Sequence, residues 1–358
     1  MIPLFKVHMP ESVIDPLRDT LLSGFIGEGE KVVEFEEALA PWFDNENVLA
    51  TNNGTAAIQL ALRLSGVGPG DEVISTPMTC SATNEPVLAA GAKIVWADID
   101  PWTGNIDVHD VKKKITPKTK AIICVDWGGY PCTFAELNYL AKKNGLKLIE
   151  DACHAFGSEY YGDKVGCQCD FSCFSFQAIK TITTVDGGAL TCRSKEDYEK
   201  GKLLRWYGID RTAKSADLRC ENDITDWGYK FHMNDVTATI GLEQLNYVGD
   251  NLALHAKNAE CYSDLPCTMR YQNGLKSANW LFTIRVKNRD DFIEWMKTKE
   301  IATSKVHVRN DKYTIFSASV ADLPGVDEFY SEHVCIPVGW WVKDAQYIKN
   351  AVEKWLKK

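Results

Sequence analysis

Between Val48 and Gly208, short apolar runs alternate with helix-like segments, and this alternation limits the possible architectures more than any other feature of the chain. VLAT, DEVIST, AKIVWADID, KAIICVD, LKLIED, CFSFQ and GALTC read as strands. TAAIQLALRL, SATNEPVLAAG, TFAELNYLAKKNG and KEDYEKGKLLRWYG read as helices. Strands joined through helices pair in parallel, and the helices must cover both faces of the sheet. The expectation is an α/β chain with a mostly parallel central sheet flanked by helices. Upstream, residues 12–23 read as a helix, SGFIGEGE interrupts it, and KVVEFEEALAPWF resumes near-helical spacing at Val33, Phe35 or Glu36, Leu39 and Phe43.

Past residue 240 the rhythm changes. IGLEQLNYVGDNLALHAKNAECYSDL is long and helix-like, NWLFTIRV reads as a strand, and RDDFIEWMKTKEI and DAQYIKNAVEKWLKK as helices. This predicts a large domain over 1–245, N-terminal segment included, and a smaller α+β domain over 246–358. No linker rich in Gly, Ser or Pro separates them, so they are expected to pack together.

Forty Lys and Arg against forty-nine Asp and Glu give a net charge of −9, with no basic footprint for nucleic acid. The chain shows no uninterrupted apolar stretch of about 18 residues and no secretory pattern at MIPLFKVHMPESVIDPL, so a soluble, cytoplasmic protein is expected. None of the twelve cysteines pairs as C-x-x-C. Cys167, Cys169 and Cys173 with His154 form the tightest candidate metal cluster, but buried, reduced thiols are the better reading.

Four segments carry candidate chemistry. Thr51-Asn52-Asn53-Gly54-Thr55-Ala56-Ala57 lies between a strand and a helix, where free amides and the helix dipole suit a phosphate; the alternative is a plain N-cap. Glu150-Asp151-Ala152-Cys153-His154 places two acids at the carboxyl end of a strand, where open α/β sheets gather ligands; the alternative is a salt-bridged strand end. Lys180 follows the strand-like Phe174-Ser175-Phe176 and precedes Thr183, Thr184 and Gly187-Gly188. An amine framed this way can be desolvated and condense with an aldehyde. The fourth segment is Gly228-Tyr229-Lys230-Phe231-His232-Met233-Asn234-Asp235.

Taken in order, and with SGFIGEGEKVVEFE, LAAGAKIVWADID and Leu204-Arg205-Trp206-Tyr207-Gly208, these segments resemble the DegT/DnrJ/EryC1/StrS sugar-nucleotide aminotransferases from about residue 3 to the C-terminal helix. The resemblance implies fold type I, the aspartate aminotransferase fold, with pyridoxal 5'-phosphate as cofactor. It puts Lys180 where the cofactor is held as a Schiff base and where a proton is shuttled, and Asp151 on the pyridine nitrogen. It puts His154 against the ring and Gly54, Thr55 and Ser175 on the phosphate. It further implies a homodimer with shared sites, L-glutamate as amino donor, and a nucleotide-linked keto sugar as acceptor.

The chain departs from the family pattern in places. Cys80 stands where an aromatic residue often stacks on the ring, Gln177 where His is common, and Lys230 and His232 replace the Asn and Arg of a cross-subunit phosphate contact. Lysine can still meet a phosphate as a point charge. The segment after Lys180 is more similar to members acting at C4 of 4-keto-6-deoxy sugars, giving 4-amino-4,6-dideoxy products, than to those acting at C3. His307, Arg309 and Tyr313 resemble a segment near the substrate diphosphate, with a solvated charged loop as the plain alternative. An NAD-dependent nucleotide-sugar oxidoreductase would rest on Gly24, Gly27 and Gly29, whose spacing is wrong for the dinucleotide fingerprint.

Overall fold

A computed structural model of the chain describes residues 1–211 and 223–358, so Cys220 lies outside the described residues. Seven strands form the central sheet: β1 (Val48–Thr51), β2 (Glu72–Ser75), β3 (Lys93–Trp96), β4 (Thr119–Val125), β5 (Lys147–Asp151), β6 (Phe171–Ser175) and β7 (Gly188–Cys192). Their order is β1-β7-β6-β5-β4-β2-β3. All neighbouring pairs are parallel except those of β7, which runs antiparallel to both β1 and β6. The helices Gly54–Leu64, Ser81–Ala89, Val108–Lys114 and Phe134–Lys143 supply the crossovers. The β6–β7 connection holds no helix, so the chain turns back beside β6 instead of crossing over.

Period-two alternation divides the sheet's side chains between two cores. Leu49, Val73, Ile123 and Ile149 pack on one face, while Val48, Ala50, Ile74, Ile122, Cys124 and Leu148 pack on the other. The helix Glu30–Phe43 buries Val32, Phe35, Leu39 and Phe43 and leaves Val33 52 % exposed. The inward stripe therefore starts at Val32, one residue earlier than expected, because the helix begins at Glu30.

A second, two-stranded sheet pairs β8 (Phe282–Arg285) with β9 (His333–Ile336) and packs with the helices Arg289–Lys297 and Ala345–Leu356. The helix Asp235–Tyr262 runs unbroken through residue 245. Its Val248 lies in the core of the central sheet and its Tyr262 in the small core. The chain start lies with the small sheet's elements: Ile2 bridges Ile301, and Pro3 O accepts a 2.8 Å hydrogen bond from Trp341 Nε1. Among the described residues no helix is long and apolar enough to cross a membrane.

Candidate active site

Parallel strands bring their carboxyl ends to one edge, so Thr51, Asp151 and Ser175 end together there, and the reversed β7 begins beside them at Gly188. A cavity of about 560 Å³ opens at this edge. Lys180, Asp151, Gly54, Thr55, Ser175, His154, Cys80 and His307, all singled out from the sequence, line it.

The turn after β1 is built by close approach. Asn53 caps the helix Gly54–Leu64 by accepting the Ala56 amide at 2.7 Å, and the amides of Gly54 and Thr55 lie in the first turn, where no helical carbonyl reaches them. A Cβ on Gly54 would meet Ser175 Cβ at 2.9 Å and Cys153 Sγ at 3.0 Å, and one on Gly188 would meet the Asn53 carbonyl carbon at 2.6 Å. Two glycines from segments far apart in the chain thus let the amide turn sit against Ser175.

Asp151 projects from the end of β5. Its Oδ2 accepts a 2.6 Å bond from Thr83 Oγ1, and its Oδ1 accepts the Cys153 amide at 3.1 Å. Thr83 shares a second bond, 2.7 Å, with Thr79. Sequence reasoning missed Thr83, which sits in the helix begun at Cys80 and gives no sign in the sequence that it meets an acid 68 residues away. Asp151 is 5 % exposed, so an acid held by two donors and closed off from water is available to a ring nitrogen.

The loop from Phe176 to Gly187 carries Lys180. Burial lowers the pKa of its amine, while Cys153, Asp151 and Cys80 pull in the other direction. The amine lies 4.0 Å from the centroid of the Trp280 ring, and Trp280 Nε1 donates to Ile179 O at 2.8 Å. Trp280 also stacks on His154 at 4.0 Å. It entered the sequence reading only as part of a strand, because an apolar run does not reveal which of its aromatics faces another element. His154 Nδ1 accepts the Gly128 amide at 3.4 Å, and burial, reinforced by Lys180 and His307, drives its pKa well below the usual imidazole range. The ring is therefore held neutral, stacked on Trp280.

Not every expected residue reaches the cavity. Arg309 spends its fork on Asp311, at 2.7 and 2.8 Å, and also bonds Asp327; it is 5 % exposed and does not line the cavity. The expected open diphosphate fork is thus taken up by carboxylates of its own loop and of the helix Pro324–Glu332. The exposed Tyr313 is also outside the lining. In the same segment Asn310 is fully buried and accepts from Asn84 at 2.8 Å, tying this loop to the helix Ser81–Ala89. Lys230 lies outside this chain's cavity, with its amine near the rings of Trp206 and Tyr207. Gln177 lines the cavity.

The lining fits pyridoxal phosphate by its chemistry: an amide cradle that a single Cβ would fill, an acid at depth, and a desolvated primary amine between them. Comparisons with known proteins agree. Residues 8–353 match the DegT/DnrJ/EryC1/StrS aminotransferase family. The UDP-4-amino-4,6-dideoxy-N-acetyl-beta-L-altrosamine transaminase of Campylobacter jejuni is 31 % identical over 100 % of this chain and 98 % of its own. The crystal structure of AtS13 from Actinomadura melliaura is 37 % identical, covers 99 % of this chain and 98 % of its own, and superposes with a TM-score of 0.95. The PLP-form of the putative sugar aminotransferase Spr1654 from Streptococcus pneumoniae is 28 % identical with a TM-score of 0.90, covering 99 % of each chain, and a PMP-form of it is also similar.

Proposed function

The chain belongs to the DegT/DnrJ/EryC1/StrS aminotransferase family, and we propose that it moves the amino group of L-glutamate to a nucleotide-linked 4-keto-6-deoxy sugar, giving a 4-amino-4,6-dideoxy sugar nucleotide. It is a pyridoxal-phosphate-dependent sugar aminotransferase. The observation that carries the proposal is the convergence of Lys180 and Asp151 on one cavity with the amide turn at Gly54. The 4-amino sugar nucleotide in the name of the Campylobacter relative supports C4 as the reacting carbon.

Bound pyridoxal phosphate supplies a carbonyl that amines can add to and a ring that withdraws electrons from the carbon being deprotonated. The amides of Gly54 and Thr55 and the Ser175 hydroxyl bind its phosphate. Asp151, oriented by Thr83 and the Cys153 amide, keeps a proton on the ring nitrogen. Lys180 anchors the cofactor. Its Nζ would take the proton from the donor's α-carbon and later return one to the sugar carbon that receives nitrogen, burial favouring the uncharged amine that this requires. His154 would cover the ring, and His307, which also lines the cavity, would face the sugar. Trp280, Phe5 and Ile179 exclude water.

The protein functions as a homodimer in this reading, with Lys230 reaching the phosphate in the partner's cavity. Its position outside its own chain's cavity supports this, as do the exposed Leu22 (79 %) and Phe25 (82 %). Sedimentation of the purified protein as a monomer at assay concentration refutes the dimer.

Incubation with glutamate and a panel of dTDP-, UDP- and GDP-4-keto-6-deoxyhexoses, with NMR identification of the product, tests the function. A 3-amino product from a 3-keto sugar would reassign the reacting carbon. Lys180→Ala is expected to lose all transamination and the borohydride-sensitive visible absorption; substantial remaining turnover would refute the assigned lysine.

A further inference from the structure

Behind Asp151, on the side away from the cavity, two further carboxyls are buried together. Asp126 follows β4 and Glu150 precedes Asp151 in β5; both are 0 % exposed. The strands are in register here, with Cys124 opposite Glu150 and Val125 opposite Asp151. The ladder continues one step further, the Asp126 amide donating to Asp151 O at 3.2 Å.

Each acid has one oxygen satisfied and one left over. Asp126 Oδ1 accepts the Cys132 amide at 2.9 Å, and Glu150 Oε2 accepts the Ser172 hydroxyl. Asp126 Oδ2 and Glu150 Oε1 are both sealed from solvent, and neither receives a bond from an N–H or a hydroxyl group. Glu150 stands opposite Cys124, and Asp126, two residues beyond Cys124, falls on the same face of the two strands. The Cys124, Cys132 and Cys169 thiols, Ser172 and the Asp151 backbone lie beside the pair. Among the described residues no cluster of His, Cys, Asp and Glu has the arrangement of a metal site.

Two carboxylates cannot face each other through bare oxygens in a dry pocket without a proton between them. We infer that Asp126 and Glu150 share one proton, and that this carboxyl–carboxylate pair is a positioning device for Asp151. The bond closes β4 against β5 at the point from which Asp151 projects. It also limits the two acids to one negative charge between them, leaving Asp151 as the carboxylate that faces the cavity. This last clause rests on the cofactor reading above; the shared proton does not.

The electrostatics point the same way. Burial raises Asp126 to about 7 and Glu150 well above the carboxylate range, each reinforced by nearby negative groups. Hydrogen bonds from Cys132 and Cys169 lower Cys124 to about 5, and its charge pushes Glu150 further up. The folded-state pKa of the pair is raised, so the stability it contributes is present at low pH and is lost as pH rises through the folded value.

Glu150→Gln separates this device from a merely well-packed acid. The amide donates permanently to Asp126 and its oxygen still accepts from Ser172. The unfolding temperature of the wild type is expected to fall between pH 6 and pH 9 more steeply than that of Glu150→Gln. Infrared difference spectra of the wild type at neutral pH should show a protonated-carboxyl carbonyl band that the variant lacks. Asp126→Asn should behave alike, and provides the test should Glu150→Gln not fold. Below the pair's pKa both proteins present Asp151 with the same surroundings, so the acid limb of kcat/KM should coincide. Parallel stability slopes, or no protonated-carboxyl band in the wild type, overturns the shared proton whatever the enzyme's substrate. A shared proton with an acid limb displaced by Glu150→Gln overturns only its service to Asp151. Loss of activity on every sugar with the band intact faults the function and not the pair.

Discussion

Gly54→Ala is the sharpest probe of the phosphate cradle. The added Cβ would lie 2.9 Å from Ser175 Cβ, 0.5 Å inside the 3.4 Å at which ordinary contact begins, with Cys153 Sγ at 3.0 Å and the Phe174 carbonyl oxygen at 3.2 Å. Gly54 opens a helix with no left-handed backbone angle, so alanine suits the chain there and returns up to about 1 kcal/mol of helix propensity. Overpacking of this size costs about 1–3 kcal/mol, leaving a small net loss of stability of roughly 0–2 kcal/mol. The larger effect is positional, since relief of the clash requires the amide turn and Ser175 to separate. Hydrogen bonds to a charged group are worth about 1.5–3 kcal/mol each. Misaligning one should weaken pyridoxal phosphate binding roughly tenfold to a hundredfold at 1.4 kcal/mol per decade. The assay is absorbance titration of the apoprotein with pyridoxal phosphate and, in parallel, with pyridoxal, which lacks the phosphate. Affinity for the first should collapse while that for the second changes little. Equal losses for both, or none for either, would refute the assignment of this turn to phosphate.

Other outcomes follow from the same geometry. Trp280→Leu removes the ring packed against Lys180 and His154 and the bond to Ile179, and should lower kcat several-fold, with Trp280→Phe recovering part of it, given roughly 0.5–1.5 kcal/mol for an aromatic stack; steady-state kinetics on both variants checks this. His307 is lowered to about 4 by burial and by Lys180, against an unfolded value of about 6.5, so the stability it contributes is lost as pH falls from about 6.5 through 4. Thermal unfolding at pH 4–8 should show His307→Gln flattening that slope. Arg309→Gln leaves Asp327 without its cation and Asp311 with Lys312 alone, at 3.8 Å, and should cost about 1.5–3 kcal/mol of stability, while KM for the nucleotide sugar stays within about twofold. A large KM increase without a loss of unfolding temperature would return Arg309 to the substrate.

Much of this protein is written locally. Alternation of apolar strand runs with helical spacing fixes a parallel sheet, because a strand that needs both faces covered and a helix that needs one apolar stripe can be satisfied together in few ways. Strand ends gather ligands, so the acid after LKLI, the turn at Asn53-Gly54 and the lysine after FSF were visible as candidates for one site. What the sequence alone did not decide is contact between segments. Thr83 on Asp151, Trp280 over Lys180 and Asn310 on Asn84 bring together residues 68 to 226 positions apart, and no periodicity encodes such meetings. The same limit explains Arg309, whose charge suggested a ligand but whose partners proved to be neighbouring carboxylates, and Glu150, which stood out beside Asp151 but which burial pairs with Asp126, an ordinary acid in the sequence, to hold a proton. Side-chain type is set by the sequence, whereas desolvation and the identity of the neighbour are set only when the sheet closes, and those two quantities determine which charges persist at the site.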